Sequence, residues 1–214
     1  MAVVGAPPGQ REDTASVTGH VKLTRTRGLP LSSNIYQPRA ISDRGGPSPE
    51  IKSVVVYLKR ATFRGTLPVA KTAIRQEREE FVPRVAAITR GSTVEFPNAD
   101  PIFHNVFSFS GAATFDLGRF PKGQSRSTVF PKAGLVKVYC HIHSHMSASI
   151  LVLDHPYFTI PDLDGSFTLP GVPPGIHTVV GWHERVGERS ATIDVQPGRT
   201  TSLELVLPVE DIAK

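Results

Sequence analysis

The only cysteine, Cys140, and the only methionine besides Met1, Met146, stand six positions apart in a chain of 214 residues. Three of the eight histidines, His141, His143 and His145, lie between them. The segment reads Tyr139-Cys140-His141-Ile142-His143-Ser144-His145-Met146, so Cys140, His143 and Met146 follow C-x2-H-x2-M. His104 lies 36 residues before Cys140, at the head of the stretch His104-Asn105-Val106-Phe107-Ser108. Two imidazoles, one thiolate and a weak axial thioether form the donor set of a blue-copper electron-transfer site. A thiolate is soft and strongly covalent toward copper, imidazole suits both Cu(I) and Cu(II), and a thioether favours the reduced ion. His145 competes with His143 for the second imidazole position, as C-x4-H, but it abuts Met146 and the two would not easily both turn inward. The histidine-rich run also suits a loose Cu(I) or zinc patch.

These side chains need strands to carry them. Alternation along residues 135–140 puts Val136, Val138 and Cys140 on one face, with Lys137, Tyr139 and His141 on the other. His141 therefore reads as a surface residue. Cys140 arrives from inside a sandwich, and the next six residues form a compact loop able to return His143 and Met146 to the same point. Further strands are expected at residues 17–23, 53–58, 85–88, 93–96, 104–109, 127–130 and 150–153. Residues 70–81 have Arg75/Glu79 at helical spacing, but Pro83 follows closely and an extended reading is preferred. Residues 1–16 read as a flexible tail, a turn ends at Gly28-Leu29-Pro30, and residues 41–50 read as a loop. Beyond Asp154 come strand, tight turn and strand over residues 162–182, then two alternating strands at 190–195 and 201–207. The expectation is an all-β fold of one or two sandwiches.

Composition removes other classes. Glycine (18) and proline (19) punctuate short apolar runs, as β-structure with many turns requires. One cysteine allows neither an internal disulfide nor a four-cysteine zinc site. No apolar run approaches the ~18 residues of a spanning helix, and residues 1–10 show no secretory signal pattern. The net charge of +5 is scattered, which argues against a nucleic-acid tail and reads first as an ordinary solvated surface, with steering of an acidic partner as the lesser alternative. Asp162-Leu163-Asp164-Gly165 lacks the later ligands of a calcium loop and reads as a β-turn. Trp182-His183-Glu184 has no nucleophile placed beside it, so Trp182 reads as core, with His183 and Glu184 on the surface or in a turn.

Residues 82–154 resemble the cupredoxins, with plastocyanin-like and amicyanin-like blue proteins nearest. The residues that carry the likeness are Val94-Glu95-Phe96-Pro97-Asn98, His104-Asn105, the strand from Gly134 to Cys140, and the C-x2-H-x2-M loop. The resemblance implies a Greek-key β-sandwich holding one type 1 copper ion through His104, Cys140, His143 and Met146. It also implies that Asn105 braces the ligand loop and that His143 turns its ring edge toward a redox partner protein, in a periplasmic or other extracytoplasmic setting. The flanks look different. Val17-x-Gly19-x-Val21, Asp164-Gly165-Ser166-Phe167 and Gly171-Val172-Pro173-Pro174-Gly175 resemble a carboxypeptidase-regulatory-like, transthyretin-like sandwich. The expected division is a flanking sandwich from residues 17–60 and 155–208, split by a copper domain at 61–154. An electron carrier rather than an enzyme is the leading reading. A copper carrier or sensor, and a partner-binding module stapled by metal, are the alternatives.

Overall fold

The computed structural model describes residues 15–26 and 48–210. A short 3-10 helix, Pro49–Ser53, precedes the second strand. The strands begin with β1 Ala15–Thr26, β2 Val54–Leu58, β3 Lys71–Ala73, β4 Arg75–Glu77, β5 Glu80–Val82 and β6 Val85–Thr89. They continue as β7 Thr93–Pro97, β8 His104–Ser110, β9 Ala113–Phe120, β10 Ser125–Val129, β11 Gly134–Tyr139 and β12 Ser147–Leu153. The last are β13 Phe158–Thr159, β14 Ser166–Val172, β15 Gly175–His183, β16 Gly187–Val195 and β17 Thr200–Glu210. Among the described residues, no helix is long and apolar enough to cross a membrane.

The fold is all-β. Five strands in the order β6-β12-β11-β8-β9 form one sheet, and β10-β7-β3 form another. Between them lies a core of Val94, Phe96, Val106, Phe120, Phe130, Val136, Val138 and Ile150, which includes Cys140 and Met146. Burial alternates along β11 because successive side chains leave opposite faces of a strand: Val136 and Val138 are inside, and Leu135 and Tyr139 are exposed.

A second pair of sheets, β14-β1-β17 and β13-β2-β15-β16, takes strands from both ends of the chain. β1 runs parallel to β17, from Ser16 opposite Thr200 to Thr26 opposite Glu210. Val17, Val54, Val56, Leu169, Val179 and Leu207 fill the space between these sheets. A third apolar cluster joins the two pairs. Val55 and Tyr57 of β2 and Val180 and Trp182 of β15 meet Val85 of β6 and Leu151 and Leu153 of β12. The outer face of the five-stranded sheet is thus covered on its β6 and β12 side.

Several expectations change in detail. Residues 70–81 are extended, as anticipated, but they fold into β3 and then a tight hairpin of β4 with β5. The strand β9 was not anticipated: Phe120 is its only buried residue, the others being half-buried or exposed, and Gly118 interrupts its alternation. Ala15 and Ser16 belong to β1 rather than to a tail, while the rest of the expected tail, the turn at residues 28–30 and most of the 41–50 loop lie outside the described residues. His183 is 1 % exposed and not a surface residue, since β15 carries it inward against Glu50.

Candidate metal centre

A hairpin brings the loop residues together. The last pair of the β11–β12 ladder is Tyr139 with Ser147. Cys140 and Met146 are the first residues beyond that pair, one on each arm, and both turn inward: Cys140 is 4 % exposed and Met146 1 %. The Met146 amide donates to the His143 carbonyl at 3.0 Å, which tightens the loop. His104 comes from the neighbouring strand as the first residue of β8. The turn before it is pinned by Asn98, whose Nδ2 donates to the carbonyls of Ile102 at 2.8 Å and Phe120 at 3.0 Å.

Three donor atoms converge. His104 Nδ1 and His143 Nδ1 are 3.1 Å apart, and Cys140 Sγ lies 4.0 Å from the first and 3.9 Å from the second. Among the described residues, His104, Cys140 and His143 form a group able to hold a metal ion, with all candidate ligand atoms within 4.8 Å of one another. Metal bonds of about 2.0 Å to nitrogen and about 2.3 Å to sulfur can bridge these separations, so the donor set fits a single ion. His104 is wholly buried, whereas His143 is only partly so. The two rings meet edge-on, with centroids 4.8 Å apart at 64°.

The other loop histidines stand apart. His141 stacks flat on Phe107, with centroids 3.6 Å apart and planes within 4°. Its backbone amide donates to Asn105 Oδ1 at 3.1 Å, and Asn105 Nδ2 donates to Asp116 Oδ1 at 2.7 Å. Asn105 therefore ties the first residue after Cys140 to the β8–β9 pair. His145 is exposed and sits 3.6 Å from Glu79 Oε2.

Asp100 is the site residue that the sequence reading missed. Its Oδ2 lies 2.7 Å from His104 Nε2, and its two oxygens accept the backbone amides of Arg78 at 2.6 Å and Glu79 at 2.9 Å. Burial tends to raise its pKa, but the Glu79 amide, the His104 ring and the Arg78 amide together hold the carboxyl below its ordinary value. A carboxylate four residues before a candidate ligand histidine was the available signal. Tertiary contact with residues 78 and 79 left none.

Trp182-His183-Glu184 serves the junction between the sheet pairs. Trp182 is buried, as expected. His183 Nε2 lies 3.1 Å from Glu50 Oε2 and its Nδ1 accepts the Arg185 amide. Glu184 accepts from Lys137 Nζ at 2.7 Å and from Arg84 Nε at 3.1 Å. Asp164 accepts both the amide and the hydroxyl of Ser166 within a turn.

No protein family's profile matches the sequence, and no curated protein matches it. Solved structures do. A methionine-to-alanine mutant of amicyanin with Cu(I) is 21 % identical, over 38 % of this chain and 80 % of that one, with a TM-score of 0.36. A reduced tryptophan-to-tyrosine mutant of amicyanin is 23 % identical over the same shares, also at 0.36. A copper-containing nitrite reductase from Thermus scotoductus SA-01 is 26 % identical over 44 % of this chain, with a TM-score of 0.37, and the match spans 24 % of the reductase.

Proposed function

We propose that this chain is a type 1 copper protein that carries single electrons, with His104, Cys140 and His143 as strong ligands and Met146 as the weak axial one. The observation that carries the reading is the convergence of one buried thiol and two imidazole nitrogens within 4.8 Å, from the head of β8 and the loop after β11. Bound copper supplies a one-electron Cu(II)/Cu(I) couple at such a donor set. The residues do the rest. β11 and β8 fix Cys140 and His104 in a packed core, so little rearrangement accompanies a change in oxidation state. Met146 is buried in the same apolar cluster as Cys140. His143, the least buried of the four, gives the shortest way out to a partner.

That partner is a redox protein with an acidic face, matching the net charge of +5. The setting is extracytoplasmic, and the copper-binding unit is residues 61–154, with 17–60 and 155–208 as the flanking sandwich. Copper carriage is the weaker reading, because a looser site would draw in His141 and His145. Those rings instead engage Phe107 and Glu79.

The test is to titrate the purified full chain with one equivalent of Cu(II) and record visible absorption and EPR. The expected outcome is an intense blue thiolate band with narrow copper hyperfine splitting, both lost in Cys140→Ser. A pale spectrum that Cys140→Ser leaves unchanged would mean that histidines alone bind copper, and the electron-carrier reading would fall.

A further inference from the structure

The β4–β5 hairpin closes in an unusual way. Glu77 pairs with Glu80, leaving Arg78 and Glu79 as a two-residue turn. Both are in the left-handed region, with φ of 56° and 58°. Such a turn normally takes Asn and Gly, which tolerate positive φ. Here two long charged residues occupy it, and non-glycine residues persist in such conformations only where their surroundings over-determine them.

What the conformation achieves is visible in the backbone. The turn aims two successive amides at one carboxylate: Arg78 N–H at Asp100 Oδ1 and Glu79 N–H at Asp100 Oδ2. The hairpin is docked on the same segment a second time, since the Ala99 amide donates to the Gln76 carbonyl at 2.9 Å and Gln76 bridges Asn98. Asp100 Oδ2 then meets His104 Nε2 at 2.7 Å. The Glu79 side chain reaches the other ligand-bearing segment, 3.6 Å from His145. One turn thus touches both segments that supply the site.

We propose that the tip of this hairpin is a positioning clasp for the metal ligand His104, acting through Asp100. The inference rests on the copper reading above and names residues outside its ligand set. An ionised carboxylate has acceptors only. With its oxygens already engaged by two amides, Asp100 can accept from His104 only if Nε2 carries the proton. The imidazole is then held as the tautomer whose Nδ1 lone pair faces Cys140 and His143. Outer partners of this kind orient a ligand ring and raise its basicity. An asparagine at 100 cannot substitute for the carboxylate, because its amide would set a donor against one of three donors.

The experiment compares the full-length wild type, Asp100→Asn and, as a control for loss of a surface carboxylate, Asp154→Asn. Asp100→Asn is expected to bind Cu(II) about 10–100-fold more weakly and to have a higher reduction potential, because removing a nearby anion costs Cu(II) more than Cu(I). Asp154→Asn should match wild type in both. If Asp100→Asn also matches wild type in both affinity and potential, the clasp is wrong. A second measurement needs neither copper nor a variant. Nitrogen-15 NMR of the apo wild type at pH 8 should show His104 protonated at Nε2 and bare at Nδ1, and the opposite tautomer overturns the proposal. If wild type gives no thiolate band, the copper function fails, while the NMR result still decides whether the clasp exists.

Discussion

His104 Nδ1 and His143 Nδ1 face each other at 3.1 Å, with Cys140 Sγ about 4 Å from both. The geometry of this pair depends on residues that bind nothing themselves. Asn105 is the clearest, since it is 2 % exposed and has a structural partner at each end. Removing its side chain leaves the His141 amide without its acceptor and frees the start of the ligand loop. Asn105→Ala is expected to cost about 1–3 kcal/mol of folding stability and to speed copper loss. Denaturant titration of the apo form, with a chelator-competition rate for the copper form, checks both. A variant as stable as wild type that holds copper as long would show that Asn105 is not a brace. The role of Asn105 was accessible only through the cupredoxin resemblance of the His104-Asn105 pair. The contact of Asp100 with residues 78 and 79 was not, because these amides belong to a hairpin with no glycine or asparagine to mark its turn.

At the level of elements, the parallel contact of β1 with β17 is the step that joins the two ends of the described chain. Gly19 lies within this ladder, opposite Leu203. A Cβ there would meet the Leu203 carbonyl oxygen, together with two atoms of the Phe167 ring at 2.7 and 2.8 Å. A backbone carbonyl in a ladder cannot move aside without breaking its own pairing. Gly19→Ala should therefore destabilise the protein by about 1–3 kcal/mol, as overpacking does. Gly111→Ala, with nothing within 4 Å of the added atom, should stay within about 0.5 kcal/mol of wild type. Equal denaturation midpoints for the two variants would refute the argument. The Val17-x-Gly19-x-Val21 pattern announced a strand, alternation announced β11, and short apolar runs announced β8 and β12. Which strand lay beside β1 was not legible, because a separation of 184 positions between Ser16 and Thr200 leaves no mark on either partner. The donor spacing was legible because one hairpin supplies three of the four candidate ligands. Their approach to His104 depends on β8 lying next to β11, which periodicity does not encode.

Across the whole molecule, the two pairs of sheets meet through Trp182, Tyr57, Leu151 and their neighbours, with ionisable groups around that apolar contact. Glu184 belongs to the loop after β15, yet it binds Lys137 of β11, three residues before Cys140. Burial works to raise its pKa, but Lys137 and Arg84 outweigh this and hold the carboxyl below its ordinary value. His183 moves the same way for a different reason. Burial pushes its pKa down and Arg185 adds to the effect, while Glu50 and Glu184 oppose it without cancelling it. Both shifts give stability the same pH dependence. The unfolded chain binds the His183 proton more readily, so the contribution of the neutral ring is complete above about pH 6.5 and declines below it. The contribution of Glu184 is complete above about pH 4.3 and is lost as pH falls through its lower folded value. Acidification should therefore loosen the junction in two stages, the first from histidine and the second from the carboxylate. Melting temperature of the apo protein between pH 8 and pH 3 reads this directly. His183→Gln should flatten the upper stage relative to wild type and leave the lower one in place, whereas Glu184→Gln should do the reverse. If both variants follow the wild-type curve at a constant offset, these groups do not set the acid response, and the junction is held by its apolar contact alone.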